Sequence, residues 1–489
     1  MSQSGIYSGT NNKGLLIPVL IMAAMVFGWL TSLVGIVLPI LVVLLGLAIP
    51  FVIIVFNNPK IGLISFIVYS FLLFALIRAV GDLPFSVAFE SLLVLSWLGA
   101  LLHNTKKYNW AIAKNELTYF GIAWFLFTLF EFLNPVGGLN VSAWIKDARY
   151  PLLWVLIIPL TMVVFKSRKD LNIFLLLILA FSLLAAVYGV KQLKIGLFQA
   201  EKDFLVQSPT HLIFGQLRVF SFYSDAGQFG ASMAQFCVIA GVLALGPFKK
   251  WKKVVCGASS LLFLYAMFIS GTRGALFALV AGIIIVLIIN KSAKVIIVML
   301  ALSLGGFVFL KYTFIGQDVY EIRRMRSALN PDDPSLNVRF GNQAKLAMYL
   351  KSKPLGAGVG SIGFAAQSSG HRTPVSAIPT DSYWVKIWVS YGIVGLIIWF
   401  GMMMFIIGKC CGIVWKIQDK NLKFKLTALT AGATGIFFSS YGNEVMNSMP
   451  SSMILYFSWA FVFLGPILDR KSIDEEESEI ESKESITYA

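Results

Sequence analysis

The sequence predicts an all-α protein, a polytopic membrane helical bundle of about fourteen transmembrane helices. Hydrophobic residues make up 57% of the chain and charged residues only 13%. Because so little polar surface is available, a chain of this composition does not fold as a soluble globule. A spanning helix needs roughly 20 apolar residues, and stretches near that length recur along the chain. Their approximate bounds are 15–33, 35–56, 61–77, 85–103, 117–133, 151–165, 171–190, 227–247, 254–270, 274–290, 295–312, 383–408, 426–441 and 451–468.

The Lys and Arg residues gather in short loops that alternate along the chain between the predicted spans. An excess of Lys and Arg marks cytoplasmic loops, so this pattern predicts a multi-pass protein with both termini in the cytoplasm. The distribution argues against a nucleic-acid partner despite the formal net charge of +16, and membrane lipids are the expected surroundings. The loops contain Lys106, Lys107 and Lys114; Lys166, Arg168 and Lys169; Lys249, Lys250, Lys252 and Lys253; Lys291 and Lys294; Lys409, Lys416, Lys420, Lys423 and Lys425; and Arg470 and Lys471.

Four parts of the chain follow from this topology. Residues 1–312 are predicted to hold spans 1–11, and residues 383–468 to hold spans 12–14. Between them, residues 313–382 are rich in Gly, Pro and Ser and are predicted to form a large outward, periplasmic loop with short helices. Residues 469–489 are rich in Glu and Ser and have too few apolar side chains to pack, so they are predicted to be a disordered acidic cytoplasmic tail.

Three arginines and one carboxylate fall in segments that the charge pattern places on the same outer face: Arg218, Arg273, Arg339 and Asp381. Arg273 lies in a tight turn between two apolar stretches, where an ionisable side chain is costly unless it has a function. Guanidinium groups bind phosphate through paired hydrogen bonds, so the three arginines are candidates to bind a diphosphate and stabilise it as a leaving group without a metal. Asp381 is the candidate general base for an acceptor hydroxyl. The competing interpretation is that each arginine pairs with a local carboxylate or contacts lipid headgroups.

The other polar candidates have simpler interpretations. His371, ten residues before Asp381, is an alternative base, although a histidine in a surface loop is more often structural. The pair Asp332-Asp333 stands between prolines, which favours a turn over a metal site. No metal-ligand spacing is present, and no metal or cofactor is expected. Asp225 is predicted to cap a helix, and the glycine-rich segment 355–360 to form a flexible hinge beside the site.

Four motifs occur in order over roughly residues 210–400. They are Arg218-x-x-Ser-Phe-Tyr-Ser-Asp-Ala-Gly-Gln-Phe, Ser270-Gly-Thr-Arg-Gly-Ala, Arg339 before Lys353-Pro-Leu-Gly-Ala-Gly, and Asp381-Ser-Tyr before Tyr391-Gly-Ile-Val-Gly. In this order they resemble the O-antigen ligase and O-antigen polymerase superfamily, bacterial polytopic membrane glycosyltransferases of the C-type fold.

The resemblance implies an activity and a location. It implies metal-independent transfer of a glycan from an undecaprenyl-diphosphate-linked donor to a glycan or lipid-core acceptor, outside the bacterial cytoplasmic (inner) membrane, in cell-surface polysaccharide or lipopolysaccharide biosynthesis. It also implies that Arg218, Arg273 and Arg339 bind the donor diphosphate and that Asp381 and Arg273 are catalytic.

The sequence leaves several alternatives open. Lipopolysaccharide ligases of the superfamily commonly have His-Asn where this chain has Asp381-Ser382, which favours a repeat-unit polymerase or another ligase-like enzyme. The sugar, the linkage, the acceptor and the oligomeric state are not determined. A lipid-linked oligosaccharide flippase is the competing class, since such proteins have a similar number of spans. A flippase is expected to place its charges along a central cavity at mid-membrane depth, whereas here they gather at one face.

The charge pattern makes the topology testable. Cysteines introduced at positions 317 or 370, in the loop predicted to face outward, will react with a membrane-impermeant thiol reagent added to intact cells. Cysteines at 251 or 419, in loops predicted to be cytoplasmic, will react only after permeabilisation. The labelling is measured in a background without the four native cysteines. The opposite pattern would contradict the argument for a common outer site.

Overall fold

The computed structural model describes residues 37–470 except 82, 84, 104–106, 139, 214, 291 and 331–333, together with residues 18, 21–22, 25–26, 28–29 and 31–32. Within this part the regular secondary structure is helical, mainly α-helical, apart from one short antiparallel hairpin that pairs Leu212–Ile213 with Gln216–Leu217. The prediction of an all-α protein is therefore confirmed. The helices are α1 (Val37–Asn57), α2 (Pro59–Val80), α3 (Phe85–His103), α4 (Glu116–Leu133), α5 (Val141–Val164), α6 (Arg168–Lys194), α7 (Gln199–Gln207), α8 (Ala226–Leu245), α9 (Lys250–Ile269), α10 (Ala275–Ile289), α11 (Ala293–Tyr312), α12 (Tyr320–Ser327), α13 (Pro334–Leu350), α14 (Gly363–Ser368), α15 (Tyr383–Lys416), α16 (Lys420–Ser439) and α17 (Ser451–Phe463).

Nine of the described helices are long and apolar enough to cross a membrane, and three shorter apolar helices accompany them. The chain is thus a polytopic helical membrane protein, although the described residues do not reach the predicted count of about fourteen spans. Only nine residues of the predicted first span, 15–33, are described, and most of the predicted acidic tail, 469–489, lies outside the described residues. The three short helices α12, α13 and α14 lie between the long apolar helices α11 and α15.

Helix α8 lies at the centre of the bundle. It packs against α9, α10 and α16, and 78% of its most apolar stretch is buried, compared with 11% for the peripheral α11. Its sequence is rich in Gly and Ala, which let neighbouring backbones approach closely. A Cβ added at Gly230, for example, would lie only 2.2 Å from Ser270 Oγ. The N-terminus of this central helix is where the candidate site forms.

Helix α15 is interrupted at Gly392, where φ is 69° and ψ is −170°. The glycine-rich loop enters this kink: the N–H of Ala357 donates to the Val389 carbonyl at 2.7 Å, and the N–H of Gly358 donates to the Ser390 carbonyl at 3.1 Å. The Val394 N–H in turn donates to the Pro354 carbonyl at 3.2 Å. The prediction of a flexible hinge at 355–360 is therefore wrong for the first part of that segment, because its backbone groups satisfy the carbonyls that the kink releases.

We expect Gly392→Ala to destabilise the protein. The backbone conformation at this position is accessible almost only to glycine, and an added Cβ would lie 1.9 Å from the Pro354 carbonyl oxygen. The strain alone costs about 1–3 kcal/mol. Gly401→Ala in the same helix is the matched control, since nothing lies within 4 Å of its added Cβ. The measurement is thermal unfolding in detergent, and equal melting of the two variants would contradict this account.

Candidate functional site

A cavity of about 580 Å³ lies beside the N-terminal end of α8. The segment before α8, the turn between α9 and α10, helices α12 and α13, and the segment before α15 all contribute to its wall. It brings together all four residues that the sequence singled out, Arg218, Arg273, Arg339 and Asp381. A fourth arginine, Arg324, also lines the cavity. The site therefore combines residues that are up to about 160 positions apart in the sequence, gathered by the packing of helix ends.

Arg218 follows the short hairpin and is held by neutral oxygen atoms. It donates hydrogen bonds to the Thr210 carbonyl at 3.2 Å and to Thr272 Oγ1 at 3.4 Å. Its Nε is buried without a hydrogen-bond partner. Burial, followed by repulsion from Arg324, lowers the pKa of the Arg218 guanidinium from 12.5 to about 10. The guanidinium still carries its full charge at neutral pH. A bound anion would offset both its desolvation and its repulsion from Arg324.

Arg273 stands in the turn that joins α9 to α10. The turn depends on Gly271, whose φ is 58°, and it is fixed to α8 by a 2.8 Å hydrogen bond from Thr272 Oγ1 to the Ala226 carbonyl. From this turn Arg273 reaches across to α12 and donates to Ser327 Oγ at 3.2 Å. The turn thereby presents the guanidinium to the cavity from the end of a membrane helix.

Arg324 is a site residue that the sequence analysis missed. It lies on α12, donates through Nε to the Gly271 carbonyl and through Nη1 to the Tyr320 hydroxyl at 3.0 Å. A Cβ at Gly271 would lie 2.9 Å from Arg324 Cδ, so the glycine also makes room for this side chain. The signal in the sequence was the cluster of three arginines in α12, but only the docked orientation of the helix shows which of them faces the cavity.

Arg339 and Asp381 form an ion pair, with 4.0 Å between Nε and Oδ2. This ion pair joins two of the four residues that the sequence singled out. Asp381 remains 53% exposed in its side chain and has an unusual positive φ of 47°. It directly precedes Ser382, which caps α15 by accepting a 3.3 Å hydrogen bond from the Val385 N–H. The helix start thus fixes the carboxylate at the cavity mouth.

The helix α8 begins at Asp225, as predicted, since Asp225 Oδ1 accepts a 2.9 Å hydrogen bond from the Gln228 N–H. His211, which the sequence analysis did not select, lies beside it. The buried imidazole accepts a hydrogen bond from the Ala226 N–H at Nε2, and Nδ1 is 3.1 Å from the Ser208 carbonyl. Burial is the main cause that lowers the pKa of His211, which favours the neutral imidazole. The ring forms part of the cavity wall.

The remaining candidates do not join the cavity. His371 lies near the loop at Gly138, where its Cε1 is 3.9 Å from an added glycine Cβ, and it lines neither this cavity nor the next. Asp332 and Asp333 fall outside the described residues. Within the described part of the chain, no group of three or more His, Cys, Asp or Glu side chains is arranged to bind a metal ion.

A second cavity of about 340 Å³ adjoins the first and shares Asp225, Asp381 and Asn443 with it. Its wall includes Glu444 and Thr380, whose hydroxyl donates to Glu444 Oε1 at 2.5 Å. Glu444 lies in the short segment between α16 and α17 and was not among the residues predicted from the sequence. The carboxylate in that short segment was the feature of the sequence that could have indicated a site residue.

A buried ion network lies behind the second cavity. Lys386 Nζ is 2.9 Å from Asp147 Oδ1 and 3.6 Å from Glu444 Oε2. The side chains of Lys386 and Asp147 are each 8% exposed, so this network links α5, α15 and the segment after α16 inside the protein. It fixes one carboxylate of the second cavity in place.

A comparison with protein families supports the resemblance seen in the motifs. Residues 258–400 match the family described as O-antigen ligase, so the predicted family is confirmed for this part of the chain. The matched region contains Arg273, Arg324, Arg339 and Asp381, whereas Arg218 and Glu444 lie outside it. No curated protein matches the chain at a significant level.

Proposed function

We propose that the protein is a membrane glycosyltransferase of the O-antigen polymerase or ligase type. It transfers a glycan from an undecaprenyl-diphosphate-linked donor to an acceptor hydroxyl on the periplasmic face. The observation that carries the proposal is the cavity in which four arginines meet Asp381, a carboxylate whose side chain is 53% exposed. The family match over residues 258–400 supports the same class of reaction.

The arginines suit a diphosphate. Arg218 and Arg324 make their hydrogen bonds to neutral carbonyl and hydroxyl oxygens, so these bonds orient the guanidinium groups without neutralising their charge. Guanidinium groups bind phosphate oxygens through paired, charge-assisted hydrogen bonds. In a cavity at the end of a membrane bundle, the lipid chain of the donor remains in the bilayer while the diphosphate reaches these groups.

The chemistry is a displacement at the anomeric carbon of the donor glycan. The acceptor oxygen forms a bond to this carbon, the bond from the carbon to the diphosphate oxygen breaks, and the acceptor proton passes to Asp381. The electron pair leaves with the diphosphate, whose growing negative charge the arginines stabilise. Since arginine cations supply this stabilisation, the proposed reaction is independent of a metal ion.

We expect Arg273→Lys to lower transfer roughly tenfold to hundredfold, although the positive charge is kept. An ammonium group cannot reproduce the paired hydrogen bonds of a guanidinium. The assay uses purified protein in detergent with excess EDTA and a synthetic polyprenyl-diphosphate glycan, conditions under which a flippase yields no product. Arg372→Lys, in the exposed outer loop, is the matched control. Equal activity of the two variants at matched protein concentration would remove Arg273 from the donor site.

We expect Asp381→Asn to lower the rate of transfer by about 10²–10⁴, because the amide cannot accept the acceptor proton. Donor binding, measured separately with labelled donor, will remain because the arginines are intact. His371→Ala is the comparison, and we expect it to retain normal transfer since His371 lines neither cavity. If Asp381→Asn is active and His371→Ala is not, the base is the histidine.

A further inference from the structure

We propose that the second cavity binds the acceptor and selects a neutral sugar, one whose hydroxyl groups donate hydrogen bonds to Glu444 and its neighbours. This inference rests on the proposed function and goes beyond it by naming the class of acceptor. It follows from how charge is divided between the two adjoining cavities.

The two cavities share Asp225, Asp381 and Asn443 but differ in the other charged residues that line them. All four arginines of the site line the first cavity. The described residues that line the second include carboxylates, amides and hydroxyls but no Lys or Arg. These polar residues are Asp225, Asp381, Glu444, Gln228, Asn443, Thr380 and Ser448. An anionic diphosphate is therefore favoured on one side of the wall and disfavoured on the other.

Carboxylate oxygens accept hydrogen bonds but do not donate them, so they match the hydroxyl groups of a neutral sugar. A uronic acid or a phosphorylated sugar would instead place a carboxylate or phosphate beside Asp225, Asp381 and Glu444. Like charges in a partly desolvated cavity repel, and such repulsion selects against the wrong ligand. The composition of the wall thus acts as a filter on acceptor charge.

Glu444 is the best fixed of these acceptors. Thr380 donates to its Oε1 at 2.5 Å, Asn447 Nδ2 donates to its Oε2 at 3.2 Å, and Lys386 lies 3.6 Å from the same oxygen. Its side chain is still 29% exposed, so it remains available to the cavity that it lines. A carboxylate held in this way is preorganised to accept from a sugar hydroxyl.

Asp381 stands on the shared wall, between the acidic cavity and the arginines. A sugar bound in the second cavity presents one hydroxyl to Asp381 while the donor diphosphate lies among the guanidinium groups. The acceptor proton therefore passes to Asp381, whereas the diphosphate leaves on the side of the arginines. Glu444 acts on this reaction as an acceptor-binding and specificity residue.

The test compares two acceptors that differ only in charge, a neutral hexose-terminated glycan and the matching hexuronic-acid-terminated glycan. The wild-type protein will prefer the neutral acceptor. Glu444→Gln will raise its KM for the neutral acceptor roughly tenfold to hundredfold, because a charged hydrogen-bond acceptor is lost. The same variant will use the uronic acid better than the wild type does, while donor binding is unchanged. Such a gain of activity is not expected from a misfolded variant.

Two further variants make the result decisive. Thr380→Val keeps the charge of Glu444 but removes the hydroxyl that orients it, and we expect a smaller rise in acceptor KM with unchanged donor binding. Glu116→Gln is the matched control, since Glu116 also pairs with a lysine, Lys409 at 2.8 Å, but lines neither cavity.

The inference is overturned if the wild type prefers the uronic acid, or if Glu444→Gln leaves both the preference and the acceptor KM unchanged. If Glu444→Gln does not fold, an unchanged acceptor KM in Thr380→Val overturns it as well. If the wild type binds donor but transfers to neither acceptor, the proposed glycosyl transfer itself has failed, which is a different result.

Discussion

The close packing of three segments at the N-terminus of α8 is the constraint on which the site depends. A Cβ at Gly274 would lie 2.7 Å from Asn443 Nδ2, and one at Gly227 would lie 3.1 Å from Asn443 Oδ1. Only because these positions lack side chains can the α9–α10 turn and the segment after α16 meet over the start of α8. The start of α15 is tied to the same place, because the Tyr383 N–H donates to the Ser440 carbonyl at 2.9 Å, and Arg273 and Asp381 thus line one cavity. At these positions glycine is required because a side chain would clash with Asn443.

Much of this arrangement was predictable from the sequence. Charged residues are excluded from the apolar interior of a bilayer, so Arg218, Arg273, Arg339 and Asp381 had to lie near helix ends, and the alternation of basic loops assigned those ends to one face. The distances among them were not predictable, since they depend on the packing of helices that are far apart in sequence. Arg324 could not be predicted from the sequence, because the rotation of a short amphipathic helix decides which of its arginines faces the site.

The glycine-rich loop shows a different limit. Its composition is typical of a flexible segment, and local sequence gives no sign of a partner. The structure supplies one: a kink elsewhere in the chain leaves the carbonyls of Val389 and Ser390 in need of donors, and the loop backbone provides them. A buried backbone group without a hydrogen-bond partner destabilises the fold. The kink and the loop therefore stabilise each other, because each supplies hydrogen-bond partners to the other. Hydrogen bonds of this kind between distant segments cannot be predicted from the sequence of either segment alone.

The same hydrogen bonds have a mechanical consequence. Since three backbone hydrogen bonds join the loop to the two sides of the Gly392 kink, the loop and the N-terminal half of α15 form one hydrogen-bonded body. Asp381, only two residues before α15, belongs to that body, whereas Arg324 is carried by the separate short helix α12. The two sides of the cavity therefore belong to different parts of the fold: Asp381 precedes the kinked helix, whereas α12 is joined to the α9–α10 turn by hydrogen bonds from Arg324 and Arg273.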